Sequence, residues 1–237
     1  MAETVIRQIT QEIWTFSYPF LRLGIFPVGG RSTAIKLKNG NVWVLASTPL
    51  NSETKTKLDE LGDVKYIASG DALHWMFLED FKKAYPTAKV VGPEALLTKP
   101  GCAKLDGVYG RDPPDTKYGF EDEIGVCYFS GFRNKDVAFH HPASKTLVVA
   151  DLIFNLPAKE QYSKVLKKPY FLNADMGPYG WLHQKFVWFA GTDKEAMRRD
   201  VRTVAEWDFD RIIPCHGDVI ENKGNEAWRA AYKAYFS

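Results

Sequence analysis

Apolar positions along the chain recur at two spacings, every second residue or every third to fourth, and they lay out a succession of strands and helices. Val5 to Ile9 and Glu12 to Tyr18 read as extended, followed by an aromatic loop from Tyr18 to Gly30. Ser32 to Leu37 and Val42 to Ala46 flank Lys38-Asn39-Gly40-Asn41, and Asn-Gly is a strong short-range hairpin signal. A short helix from Asn51 to the stop at Gly62 precedes Val64 to Ala68, an apolar run suited to a buried strand. Trp75, Leu78, Phe81 and Tyr85 then share one face of a helix that Pro86 stops. Lys89 to Gly92 forms a strand and Pro93 to Thr98 a helical turn. Residues 101–119, rich in Gly, Pro and Asp, form a loop.

Farther on, Ile124 to Ser130, Asp136 to His140 and Thr146 to Ala150 read as core strands, the last two joined by a turn at His141 to Lys145. Residues 155–190 are irregular and aromatic, with Tyr162, Tyr170, Phe171, Tyr179, Trp181, Phe186, Trp188 and Phe189. Thr192-Asp193-Lys194-Glu195 forms a capping box that opens a helix burying Met197, Val201, Val204 and Trp207. A strand at Arg211 to Pro214 and a terminal helix at Glu226 to Tyr235 complete the pattern. Both halves run strands first, then alternate helix and strand. That order suits an α/β fold in which two sheets pack face to face with helices outside, an αβ/βα four-layer sandwich, with residues 1–237 as a single domain. No Gly-x-Gly-x-x-Gly turn opens a helix, which disfavours a doubly wound sheet.

Composition narrows the function classes. With 45% hydrophobic and 25% charged residues the chain is an ordinary globular protein. A formal net charge of +2 supplies no strong field for nucleic acid or an acidic membrane, and the short basic run at 164–168 reads as a solvated loop. Cys102, Cys127 and Cys215 are far apart, without a Cys-x-x-Cys pair, as expected of reduced thiols. The N-terminus lacks a signal-peptide core, and no apolar run approaches the roughly 20 residues of a membrane helix. The expectation is a cytoplasmic protein with a small-molecule substrate and neither nucleic-acid nor membrane partners.

Candidate chemistry sits where three apolar strands end. Ser69-Gly70-Asp71-Ala72-Leu73-His74 follows Val64 to Ala68, Asp151 follows Leu147 to Ala150, and His216 follows Ile212 to Cys215. Each signal alone is more often that of a cap or a surface residue; their order and spacing make them informative together. His140 and His141 point to opposite faces by alternation and read first as exposed turn residues, with one of them a possible pocket wall. His183 is a candidate substrate contact, and Cys215 a buried thiol. No Gly-x-Ser-x-Gly elbow points to a serine hydrolase.

In this order the residues resemble the metallo-β-lactamase superfamily. The features that carry the resemblance are the ligand loop after a strand, Gly131-Phe132-Arg133, Ser144-Lys145-Thr146-Leu147-Val148-Val149-Ala150-Asp151, and Ile212-Ile213-Pro214-Cys215-His216-Gly217. Asp151 to Asn155 and Trp207 to Gly217 are closer to a divergent branch, and the likeness spans roughly residues 10 to 225. The family's His-x-His-x-Asp-His motif falls on Ser69, Asp71, Leu73 and His74, its Gly-His on Gly131-Phe132, its bridging Asp on Asp151 and its final His on His216. The resemblance therefore implies an emptied first metal site and a second site that keeps His74, Asp151 and His216. Two imidazoles and a carboxylate suffice for one divalent ion, whether Zn, Fe or Mn. Asp71 is expected as a fourth ligand or a catalytic base. Phe20, Phe26 and Trp181, with His140 and His183, are candidate pocket walls, although core packing or a homodimer contact explains the aromatics equally well.

The resemblance implies hydrolysis of an ester, lactone or thioester. A lyase, decarboxylase or oxygen-dependent reaction at a 2-His-1-carboxylate ion is the first alternative, and a non-catalytic ligand-binding protein on the same scaffold the second.

Overall fold

The computed structural model describes residues 3–166 and 175–237. The first sheet has seven strands in the order β1 (Val5–Gln8), β2 (Ile13–Tyr18), β5 (Gly30–Lys36), β6 (Asn41–Leu45), β7 (Asp63–Ala68), β8 (Lys89–Pro93) and β9 (Gly107–Tyr109). Pairing is antiparallel from β1 to β6 and parallel from β6 to β9. Between β2 and β5 the chain makes a small hairpin, β3 (Leu21–Arg22) with β4 (Phe26–Pro27). The second sheet runs β10 (Gly125–Phe129), β11 (Asp136–His141), β12 (Thr146–Asn155), β13 (Arg211–Gly217), with its last pair parallel.

The alternation of side chains explains why the strands are apolar on both faces. Trp43 and Leu45 of β6 meet Phe139, Val148 and Ile213 between the sheets. Val42 and Val44 face outward onto α1 (Ser52–Leu61) and α2 (Leu78–Ala84), where Leu58, Leu78 and Phe81 close an outer core. Leu147, Val149 and Ile212 likewise face α3 (Trp181–Ala190), α4 (Lys194–Ala205) and α5 (Gly224–Ala231) through Val187, Met197, Val201 and Trp228. The layers are therefore helix, sheet, sheet, helix, the expected αβ/βα sandwich.

Local chemistry sets the boundaries. Asn51 caps α1, its side chain accepting the Thr54 N–H at 2.9 Å, and Gly62 ends it. Asp193, not Thr192, caps α4, accepting the N–H groups of Glu195 and Ala196, while the Thr192 hydroxyl donates to Gly131 O. Trp75 lies in the turn before α2, and Trp207 lies beyond the end of α4. The loop at 101–119 contains β9, and the segment read as irregular contains α3. Tyr170 and Phe171 lie outside the described residues. Among those residues no helix is long and apolar enough to cross a membrane.

Two boundary differences matter for the site. β12 runs on to Asn155 and β13 to Gly217, so Asp151 and His216 lie within strands and not after them. Val149 pairs with Pro214 and Phe154 with His216, so five steps along β12 match two along β13. The excess residues include Asp151, which is how a bulge frees one side chain of a buried strand from the regular ladder.

Candidate metal centre

The ligand loop between β7 and α2 is built tightly against the second sheet. A Cβ at Gly70 would stand 2.5 Å from Ala150 Cβ, so only glycine allows the loop to cross β12 this closely. Ser69 Oγ, buried, lies 3.0 Å from Asp71 O and 2.9 Å from His74 O, and so serves to tie off the loop carbonyls. Asp71 Oδ1 accepts the backbone N–H groups of Leu73 at 2.6 Å and His74 at 2.9 Å. The same oxygen lies 2.9 Å from His74 Nδ1 and turns the ring so that Nε2 points inward.

His216 is oriented in the same manner by another element. Its Nδ1 donates to Gly29 O at 2.6 Å, and its ring stacks on Phe154 at 5.1 Å with a 13° tilt. Arg31, fully buried in β5, fastens the surrounding strand end: Nη1 donates to Pro214 O at 2.7 Å and to Gly217 O at 2.6 Å. Its charge is balanced by Glu160 at 3.3 Å. Gly217 has φ +90° and a Cβ there would stand 2.2 Å from Asn155 O, so the turn after His216 also requires glycine. The bulged Asp151 completes the group, its Oδ2 held by Asn134 Nδ2 at 2.7 Å, with Arg22 Nη1 at 3.9 Å.

One remaining atom of each residue points into the centre. His74 Nε2 and His216 Nε2 are 3.2 Å apart, and Asp151 Oδ1 is 3.3 Å from His216 Nε2. All three lie within 4.8 Å of one another. Asp151 Oδ1 is buried with no hydrogen-bond partner, since the His216 contact is too poorly aligned to be one. A tetrahedral ion with metal–nitrogen bonds of about 2.0–2.1 Å places its donors about 3.3 Å apart. The residues present fit a single divalent ion, with each imidazole fixed through its other nitrogen.

The electrostatics agree with that fit. Three buried carboxylates, Asp71, Asp136 and Asp151, surround two imidazoles. Burial pulls His74 down, but the charge and hydrogen bond of Asp71 and the charge of Asp151 outweigh it and carry the ring up to about 9. Burial likewise opposes ionisation of Asp151, and the nearby His216 and His74 rings overcome it and lower its value. Asp136 is pushed well up by burial and then by the charges of Asp71 and Asp151. Burial and the neighbouring charges thus favour a proton on Asp136, whose Oδ2 accepts the Asp151 N–H at 3.0 Å. Without an ion, a proton held on His74 offsets part of the carboxylate charge around it.

The other predicted residues divide into two groups. Phe20 lines a cavity of ≈ 260 Å³ with His74 and His216, and Phe26 one of ≈ 350 Å³ with Phe154. Asp71 is not among the converging donors, because its Oδ1 is committed to the loop and to His74; its place is that of a positioning residue. His140 is not a pocket wall and, like His141, is buried and not exposed. It stacks on Trp207 at 5.2 Å and donates to Asp208 O, at the end of β13 opposite His216. His183 is fully buried in α3, its Nε2 accepting the Phe154 N–H at 3.0 Å, so it positions the ring that stacks on His216. Trp181 stands exposed at the start of α3, outside these cavities, with Lys185 over its ring.

The positions matched to the family's missing ligands are filled for other reasons. Ser69 ties off the loop, Phe132 is fully buried against α3, and Leu73 is partly exposed beside His74. Sequence reasoning missed Arg22, Arg31, Asn134 and Asp136. Asn134 and Asp136, polar residues leading into an apolar strand, were the only legible signal.

At the level of sequence, no family model and no curated protein matches the chain. Solved structures do. A metallo-β-lactamase from Pontibacter korlensis aligns at 14% identity and TM-score 0.63, covering 97% of this chain and 98% of its own. The metallo-β-lactamase FIM-1 from Pseudomonas aeruginosa, in a mono-zinc form, aligns at 12% identity and TM-score 0.59, covering 99% and 97%. The metal-soaked Flv1 flavodiiron core from Synechocystis sp. PCC6803 aligns at 13% identity and TM-score 0.69, covering 99% of this chain and 61% of its own. The chain has the metallo-β-lactamase fold.

Proposed function

We propose that the protein is a mononuclear metal-dependent enzyme that hydrolyses an ester, lactone or thioester of a small organic molecule. The observation that carries this reading is the convergence of His74 Nε2, His216 Nε2 and Asp151 Oδ1 on one point, each residue's remaining polar atom being held elsewhere. The mono-zinc form of FIM-1, one structural neighbour, is in keeping with a single ion on this scaffold.

A divalent ion held there would supply Lewis acidity and lower the pKa of water to near neutrality. Asp71 and Gly29 keep the two rings in the tautomer that presents Nε2. Asn134 and Arg22 hold Asp151 so that one oxygen stays turned inward. Phe154, stacked on His216, keeps water from one side of the ring, and Phe20, 6.3 Å from it, packs on the same imidazole.

The test is turnover of aryl esters, γ-lactones and acyl thioesters by protein loaded with Zn, Mn or Fe(II), compared with chelated protein. Metal-dependent turnover that falls at least about a hundredfold in His216→Ala is expected. Absence of turnover with every metal, or turnover indifferent to chelation, would overturn the reading and favour a ligand-binding scaffold.

A further inference from the structure

Three cavities meet around the candidate metal centre, and Arg22 of the β3–β4 hairpin lines all of them. The one of ≈ 420 Å³ reaches Asp151 and is rimmed by Arg22, Arg133 and Lys185. Its neighbour of ≈ 350 Å³ is walled by Phe26, Val28, Phe154, Leu156, Met176 and Phe186 and, among the described residues, has Arg22 as its only charged side chain. Arg22, Leu182 and Phe186 belong to both, so one ligand can extend from the first into the second past Arg22.

Some cations, such as Lys55 and Lys117, stand within ion-pair distance of a carboxylate and others do not; the first cavity brings two of the latter together. Arg133 and Lys185 have no such partner among the described residues, and residues 167–174 contain no acidic side chain. Lys185 rests instead 5.0 Å over the Trp181 ring. Among the described residues Asp151 is the only acid in the lining, and its two oxygens are turned to Asn134 and to the metal centre. Two unpaired cations on one side of Arg22 and an aromatic and aliphatic wall on the other match a ligand with two unlike ends.

Resting on the reading of this centre as a hydrolase site, we infer that its substrate is an amphiphilic anion. A carboxylate or phosphate head lies against Arg133 and Lys185, and an apolar chain of several carbons lies between Phe26, Phe154 and Phe186. Arg22 spans the junction, beside the bond that would be cleaved.

Binding measured by calorimetry, without turnover, tests this separately from the hydrolase reading. The probes are decanoate, decyl phosphate and neutral decanamide. A carboxylate also ligates metals, so each is titrated into both the metal-loaded and the chelated protein. Either anion should bind about tenfold more tightly than the amide in both forms, and the tighter of the two identifies the head group. Arg133→Met and Lys185→Met, both at exposed positions, should each reduce that preference about threefold and together erase it; Lys117→Met should leave it intact. Shortening decanoate to butyrate should weaken binding more than about a hundredfold. Equal affinity for decanamide, a preference that survives the double variant, or indifference to chain length would each overturn the inference. Turnover of neutral esters without anion preference would overturn it while leaving the hydrolase reading in place. Anion-selective binding without turnover would do the reverse.

Discussion

Histidines stand at both ends of the second sheet, in opposite circumstances. At one end His216 faces His74 among three buried carboxylates, each ring fixed through Nδ1 with Nε2 turned to the other ring. At the other, His140 stacks on Trp207 and donates to Asp208 O, and His141 Nδ1 pairs with the Ser144 hydroxyl. Burial lowers both His140 and His141, whereas the carboxylates raise His74 up to about 9. A histidine in a buried strand is thus not a ligand candidate by its position. It becomes one when neighbouring acids favour a cation beside it and a second group holds its other nitrogen.

The largest expected contrast is in metal affinity. His216→Ala should weaken divalent metal binding more than about a hundredfold in a chelator competition, because two donors remain where three stood. His140→Ala should leave it unchanged. Loss of affinity in both, or in neither, would remove the distinction between the two ends.

A second contrast is in the response to alkali. In metal-free protein the folded state holds a proton on His74 up to about 9, while the unfolded chain releases it near 6.5. The stability this contributes, at most about 3 kcal/mol, is complete below 6.5 and is lost as pH rises through 9. Urea unfolding of chelated protein across that range should show the decline, and His74→Gln should flatten it. Saturation with metal should also suppress it, since the ion displaces the proton.

Smaller still is the effect of releasing the His74 ring. Asp71→Asn keeps the volume but weakens the acceptor at Nδ1, and metal affinity should fall about tenfold to a hundredfold without loss of the fold. An unchanged affinity would show that Asp71 serves the loop alone. At the far end the sign reverses and the effect is modest: the lowered values of His140 and His141 give stability that is present above 6.5 and falls as the solution becomes more acidic. His140→Phe, which retains the stacking on Trp207, should diminish that acid-side loss.

How much of this could be read from the chain follows from the range of the interactions involved. The β5–β6 hairpin at Asn39-Gly40 and the capped helix α1 depend on neighbours in sequence, and both were legible. α3 was not, because Trp181 to Ala190 is apolar nearly all round and Gly180 offers no capping side chain. The continuation of β12 through Asp151 was hidden because a polar residue read as a strand end, when it is the product of a bulge. His74, Asp151 and His216 were found through their resemblance to a known ligand pattern. Their supports were not: Asn134 and Asp136 reach the site from β11 and the turn before it, Gly29 through a backbone carbonyl, and Arg31 through two carbonyls of β13. Such contacts join residues up to 187 positions apart and leave no periodic signal.

The central claim, that one metal position has been lost and the other kept, is tested most directly by the stoichiometry of metal binding. Metal-stripped protein titrated with Zn or Mn at neutral pH should take up one equivalent per chain and none in a His74→Ala, His216→Ala double variant. Two equivalents, or none in the unaltered protein, would contradict it.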